Sequence, residues 1–321
     1  MNQIKLKGLE TEVGRAALGT APFGTVLPEE ECRAVLDEFF ECGGNIVDTA
    51  LIYADWEPGE NSSSEKVIGR WIKDKKNRHS LVISTKGGHP RLDTMNISRL
   101  SEKEIFEDID SSLKNLQTDY IDIYFLHRDD KSKPVGEIME TLNKLVRAGK
   151  ARNVGLSNWS PLRIAEARKY CRENNLADIF YSQIEFGIAE PNPGTFDPTT
   201  EFMDCDAYEF YRGNDINLFS CSAQSGGYFF NLDEHGLPKA NKKYDSADNL
   251  ARFDEVMRLC RKYNCSAAGI LVAALCSNPH FRTIPILGCM STEQLKTSVR
   301  GTELNLKEDE VCRLLKRTGA S

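Results

Sequence analysis

Between Ile121 and Leu156 the chain reads Ile121-Asp122-Ile123-Tyr124-Phe125-Leu126, then Val135-Gly136-Glu137-Ile138-Met139-Glu140-Thr141-Leu142-Asn143-Lys144-Leu145-Val146, then Ala151-Arg152-Asn153-Val154-Gly155-Leu156. The outer stretches are short apolar runs of strand type. The middle one sets Val135, Ile138, Met139, Leu142, Leu145 and Val146 on the i, i+3, i+4, i+7 stripe of a helix with one buried face. Gly149 closes that helix, where a left-handed residue is needed. Strand, helix, strand in this order is one turn of a parallel α/β fold.

The same alternation extends both ways. Ala16–Leu18, Asn45–Thr49, Leu81–Thr85, Ile121–Leu126, Ala151–Leu156, Ile179–Ile184, Ile216–Cys221 and Thr283–Leu287 read as strands, eight in all. Ile105, Ile109, Leu113 and Leu116 repeat the helical stripe, and Ser101 with Glu104 makes a capping box before it. Ser160 precedes Pro161 at a first helical position, while Gly43–Gly44 and Asn174–Asn175 stand at helix ends. Eight βα units with no Pro/Gly/Ser-rich linker favour one closed (β/α)8 barrel over residues 1–321 rather than two domains. Residues 1–15, with Gly8 between Ile4–Leu6 and Glu12–Val13, are expected to form a β-hairpin over the barrel bottom, and residues 302–321 a C-terminal helical tail. Two βα loops, Gly187–Cys205 and Ala223–Asp245, are long enough to line a site.

The 321 residues are 28% charged and 40% hydrophobic, which excludes a disordered chain and permits a large core without disulfides or metals. A net charge of −7 with acids and bases interspersed disfavours a nucleic-acid partner. The longest apolar run, Ala267 to Cys276, falls well short of a membrane span, and Met1 to Leu9 is too polar for a secretory signal. Ten scattered cysteines without a CxxC pair read as reduced thiols, so a cytoplasmic protein is expected.

Active sites of such barrels lie at the C-terminal strand ends, where Asp48, Lys86 and His127 each follow a buried run. A charged group there is costly unless paired, and these three can pair with each other. Tyr53 lies on the loop above Asp48. A phenol beside an ammonium held by a carboxylate is a proton donor, the ammonium being expected to lower the phenol's pKa, and His127 would hydrogen-bond a substrate oxygen. Singly each residue also has a structural use, as an ion pair, a core histidine or a surface aromatic. Four compatible groups at three adjacent strand ends favour the chemical one.

With these residues in view the sequence resembles the aldo-keto reductase superfamily from Leu18-Gly19-Thr20 to about Val299. The matching stretches are Asn45-Ile46-Val47-Asp48-Thr49-Ala50 with Tyr53, Ser64-Glu65-Lys66-Val67-Ile68-Gly69, Ser84-Thr85-Lys86-Gly87, Asp119-Tyr120-Ile121-Asp122 with Leu126-His127-Arg128, and Gly155-Leu156-Ser157-Asn158. The resemblance implies a TIM barrel, reversible carbonyl reduction and a nicotinamide cofactor bound without a Rossmann domain. No GxGxxG follows a strand. It also implies the catalytic tetrad Asp48, Tyr53, Lys86 and His127, with Tyr53 as general acid and no metal.

By the same resemblance Ser157, Asn158 and Gln183 would hold the nicotinamide carboxamide, and Gly19 and Thr20 would let the backbone approach the cofactor; an N-cap and a tight turn are their plain alternatives. Cys221, Ser222 and Gln224 stand where the family places an aromatic stacking residue and its neighbours, although Phe219, two residues earlier, points the same way along a strand. Gly288, Met290, Gln294 and Ser298 fall in the adenosine region, but the family's cation after the glycine is absent, Met290 standing nearest to it. Dual use of NAD(H) and NADP(H) is therefore expected, unless Lys296 or Arg300 on the following helix bends back to a 2′-phosphate. Trp56 and Arg128 would rim the substrate pocket and suit a small carbonyl compound or a sugar, and the sugar reading carries the expectation of a role in carbohydrate metabolism. The rivals are a sugar or polyol dehydrogenase working in oxidation, and a redox-sensing regulatory subunit with little turnover. Monomer and homo-oligomer both stay open.

Overall fold

The computed structural model describes residues 1–316. Eight parallel strands close into a barrel in the order β10-β3-β4-β5-β6-β7-β8-β9. They are β3 (Ala17–Gly19), β4 (Ile46–Asp48), β5 (Val82–Gly87), β6 (Ile121–Leu126), β7 (Ala151–Ser157), β8 (Tyr181–Glu185), β9 (Asn217–Cys221) and β10 (Thr283–Leu287). Closure is made by Ile286 beside Ala17 on one edge of β10 and Thr283 beside Leu218 on the other. β1 (Gln3–Ile4) and β2 (Val13–Gly14) form the antiparallel hairpin expected from the sequence. It plugs the barrel bottom: Leu6 and Val13 join the interior cluster, and Tyr181 donates to the Lys7 carbonyl at 2.6 Å.

Around the barrel stand α1 (Glu29–Glu41), α2 (Ser63–Lys75), α3 (Glu102–Leu116), α4 (Val135–Arg147), α5 (Pro161–Glu173), α6 (Cys205–Arg212), α7 (Ala247–Tyr263), α8 (Ala267–Cys276), α9 (Thr292–Val299) and α10 (Glu308–Leu315). The α4 stripe is buried at Val135, Ile138, Met139, Leu142 and Leu145, as its spacing dictates. Ser101 caps α3 in the expected box with Glu104, and Ser160 caps α5 ahead of Pro161. The apolar run from Ala267 to Cys276 is α8, a helix buried on nearly every side. Among the described residues no helix is long and apolar enough to cross a membrane.

The two-residue period of the strands sets the site above a packed interior. Ala17, Ile46, Val82, Ile123, Phe125, Tyr181, Phe219 and Ile284 turn inward and fill the lower barrel. Further along the same inward faces come Asp48, Lys86 (past Ser84), His127, Gln183 and Cys221, so the polar layer rests on an apolar floor. Several strands are displaced from their sequence bounds: β5 runs two residues past Thr85, so Lys86 is a strand residue. Its carbonyl still has a partner there, accepting from Leu51 N. The last strand residue is Gly87, where a Cβ would collide with the Tyr124 hydroxyl.

Candidate active site

Lys86 Nζ donates to Asp48 Oδ2 at 2.7 Å, to the Thr49 carbonyl at 2.8 Å and to the Tyr53 hydroxyl at 3.0 Å. Three acceptors use all three ammonium protons. Asp48 is held from its other oxygen by Ser84 Oγ at 2.7 Å and Gln183 Nε2 at 3.0 Å. Burial opposes the Lys86 charge, but Asp48 and Tyr53 outweigh it and keep the ammonium above the ordinary lysine range. For Tyr53 burial is the largest influence and raises the phenol; Lys86 pulls it down and Asp48 pushes it up, leaving it above its usual value. The lowering expected from Lys86 is present in sign and smaller than the cost of burying a phenolate.

The His127 ring stands edge-on to Tyr53 at 5.9 Å between centroids, and the Trp56 ring at 6.0 Å on the outer side. Burial first, then Lys86, Arg128 and His89, drive His127 well below the ordinary histidine range, so it is neutral near pH 7. Its buried Nδ1 has no hydrogen-bond partner among the described residues. Arg128 packs beside it, Nη1 on the His127 carbonyl at 3.0 Å and Nε on Thr199 Oγ1 at 3.1 Å, with Asp197 at 3.7 Å. Trp56 is 50% exposed at the rim.

Ser157 and Gln183 sit side by side in the register of β7 and β8. Asn158, at φ +59°, donates through Nδ2 to the His127 carbonyl and to Ser157 Oγ, both at 3.1 Å, and accepts from Glu201 N at 3.3 Å. Its amide therefore ties the Gly187–Cys205 loop to the catalytic wall. Cys221 is in the polar layer, its thiol pushed up to about 12 by burial, while Phe219 is one layer lower among Phe125 and Tyr181. Gly19 faces Ile286, where a side chain would not fit, and Thr20 Oγ1 donates to the Asp48 carbonyl at 2.9 Å. Ser222 is left-handed at φ +53° in the turn leading to Gln224.

The remaining expected residues gather at the end of β10. Gln224 Nε2 donates to Ser298 Oγ at 2.9 Å, and Met290 N donates to Gln294 Oε1 at 2.9 Å. Around Gly288 a Cβ would meet only open space. Lys296 turns away to Glu38 on α1 at 2.9 Å, and Arg300 lies just past α9. The Ala223–Asp245 segment is fastened over the barrel by Glu185, which takes Lys243 Nζ at 2.8 Å and the Tyr244 hydroxyl at 2.9 Å.

Over residues 15–316 the sequence matches the model of the aldo/keto reductase family. The chain belongs to that family. Among its aldo-keto reductase relatives, norsolorinic acid reductase of Emericella nidulans is 26% identical, covering 93% of this chain and 76% of the relative. The uncharacterized oxidoreductase YrpG of Bacillus subtilis is 26% identical over 94% of this chain and 91% of its own. An aryl-alcohol dehydrogenase of Pestalotiopsis microspora is 32% identical over half of this chain and 42% of its own. The chain is thus an oxidoreductase of the carbonyl–alcohol class. Among the described residues no group of three or more His, Cys, Asp or Glu is placed to hold a metal.

Three residues of this candidate site in the aldo-keto reductase barrel escaped the sequence. Asp197 and Thr199 lie in a loop long enough to be suspected, but only the fold brings them to Arg128. His89 meets the His127 ring at 4.7 Å, and its only local signal is a histidine following two glycines.

Proposed function

We propose that the protein interconverts a carbonyl compound and its alcohol with a nicotinamide cofactor, Tyr53 exchanging the proton. The observation that carries this is the contact of Lys86 with both Asp48 and the Tyr53 hydroxyl, at 2.7 and 3.0 Å. Burial keeps the Tyr53 phenol protonated at neutral pH, where it can donate its proton in reduction, and a dehydrogenase working in oxidation would use the same group in reverse. As the substrate oxygen gains negative charge it takes the Tyr53 proton, and the phenolate left behind is stabilised by the ammonium already bonded to it. His127, neutral, donates through Nε2 to the same oxygen and orients it.

The nicotinamide supplies and takes back the hydride. The donor set fits its carboxamide. Ser157 Oγ accepts from Asn158 and keeps its own O–H to donate; Gln183 donates to Asp48 and keeps its carbonyl to accept. Near Gly288, Met290, Gln294 and Ser298, where the adenosine would lie, Lys296 is engaged by Glu38, which supports binding of NAD(H) as well as NADP(H). The substrate is a small carbonyl compound, sugars included, entering past Trp56 and Arg128.

A panel of aldehydes, ketones and sugars assayed with NADH and NADPH, and of alcohols with NAD⁺ and NADP⁺, tests this reading. Turnover of carbonyls is expected. Cofactor binding seen as a thermal shift without turnover on any of them would favour the regulatory subunit instead.

A further inference from the structure

His89 follows β5 in the turn Gly87-Gly88-His89-Pro90. Gly88 is left-handed at φ +71°, and its N–H donates to Asp108 Oδ2 at 2.8 Å. Asp108 is in turn held by Arg99 Nη2 at 2.6 Å, so the turn is anchored by a partly buried ion pair. The His89 side chain is only 8% exposed, and its ring meets His127 at 4.7 Å and 63°.

His89 Nδ1 lies 2.6 Å from the Pro90 carbonyl. A carbonyl only accepts, so Nδ1 carries the hydrogen, and in a neutral ring Nε2 is left with a bare lone pair. Burial and the neighbouring Arg128 both favour the neutral ring. No described residue donates to Nε2. The ring also lines a cavity of ≈ 440 Å³ that continues from Lys86 and Gly87 along Leu51, Ile52 and Asn61.

The groups placed to meet a reacting carbonyl oxygen are donors, namely the Tyr53 hydroxyl, His127 Nε2 and the Arg128 guanidinium, whereas Asp55 and Asp108, carboxylates of the cavity that His89 lines, already accept from Ser62 N and from Gly88 N and Arg99. A bare carbonyl needs only donors. A fixed acceptor beside them has a use only if the substrate itself carries a donor close to its carbonyl.

We propose that His89 is a specificity-determining residue whose Nε2 accepts a hydrogen bond from a hydroxyl near the reacting carbonyl, so that hydroxylated aldehydes and ketones are preferred over their deoxy analogues. This rests on the carbonyl-reductase reading above. A site built to bind a hydroxyl discriminates against the analogue lacking one, because the buried acceptor is then left unpaired.

Glyceraldehyde and propanal have the same three-carbon chain and differ only in hydroxyls. The wild-type enzyme is expected to favour glyceraldehyde in kcat/KM. His89→Phe, which keeps a ring against His127, should lower the glyceraldehyde-to-propanal ratio by about three- to tenfold, mainly through KM, the size of one neutral hydrogen bond. His89→Gln, which restores an acceptor at similar reach, should recover most of it. A ratio unmoved by His89→Phe would overturn the assignment. Nitrogen NMR of the imidazoles of the wild-type protein, with the His89 signals identified by their loss in His89→Phe, gives a second readout that needs no turnover. Near pH 7 the His89 Nε2 is expected to be unprotonated and to shift on addition of glyceraldehyde but not of propanal; a protonated Nε2, or equal shifts, would refute the proposal. Failure of the enzyme to reduce either aldehyde would count against the reductase reading and leave the NMR comparison to decide on His89.

Discussion

Lys86 donates to the hydroxyl of Tyr53 at 3.0 Å across 33 residues of sequence, from a side chain fully removed from solvent. The ammonium tolerates that burial because Asp48, itself buried, faces it at 2.7 Å. Breaking a buried pair from one side leaves the other charge uncompensated. Lys86→Met should therefore cost about 3–5 kcal/mol of stability as well as nearly all turnover. Urea denaturation checks the first, and Lys86→Met combined with Asp48→Asn should regain part of the loss. An unchanged urea midpoint for Lys86→Met would mean that the pair contributes nothing to the fold.

His127 gives the site a pH signature. The folded protein refuses a proton there until well below the ordinary histidine range, whereas the unfolded chain accepts one near pH 6.5. Below that pH the unfolded state binds more protons, so the contribution of His127 falls as the solution is acidified. Between pH 7.5 and pH 5 the wild type should lose more stability than His127→Gln, by up to about 1.4 kcal/mol for each pH unit below 6.5. Urea midpoints of both proteins across that range measure the difference. Parallel curves would show that His127 titrates normally in the folded state.

The proposed cofactor choice rests on Lys296 being engaged by Glu38, 2.9 Å away. With Lys296 so engaged and Met290 in the position nearest the family's usual cation, NAD(H) should bind within about tenfold of NADP(H), since one charged hydrogen bond contributes about 1.5–3 kcal/mol. Met290→Arg should shift preference to NADP(H), and Glu38→Gln, which frees Lys296, should shift it the same way by less. Dissociation constants for the four cofactor forms check both. A wild-type preference for NADP(H) above a hundredfold would show that a cation already reaches the 2′-phosphate.

The barrel, and the gathering of Asp48, Tyr53, Lys86 and His127 at one end of it, were legible because both follow from short-range rules. Strand runs alternating with helical stripes dictate parallel βα units, and a charged residue at the end of a buried run, as at Asp48 and Lys86, is costly unless it meets a partner; His127, expected to pair with them, is instead neutral and makes no such pair. The two-residue period also decides between Phe219 and Cys221 once the height of β9 is known: the phenylalanine fills the barrel and the thiol reaches the site. That height was not in the sequence, because it depends on how neighbouring strands are staggered. Nor was the balance at Tyr53, where burial, a three-dimensional quantity, outweighs Lys86. Asp197, Thr199 and the Lys296–Glu38 pair are contacts between distant segments with no periodic trace.

Tyr53→Phe tests the proton-donor assignment most directly. The substitution removes one hydroxyl and leaves Lys86 its bonds to Asp48 and to the Thr49 carbonyl. Turnover of the best carbonyl substrate should fall by at least about a hundredfold, the usual size of a general-acid contribution, while the cofactor dissociation constant stays within about twofold of wild type. Wild-type turnover in Tyr53→Phe would contradict the account.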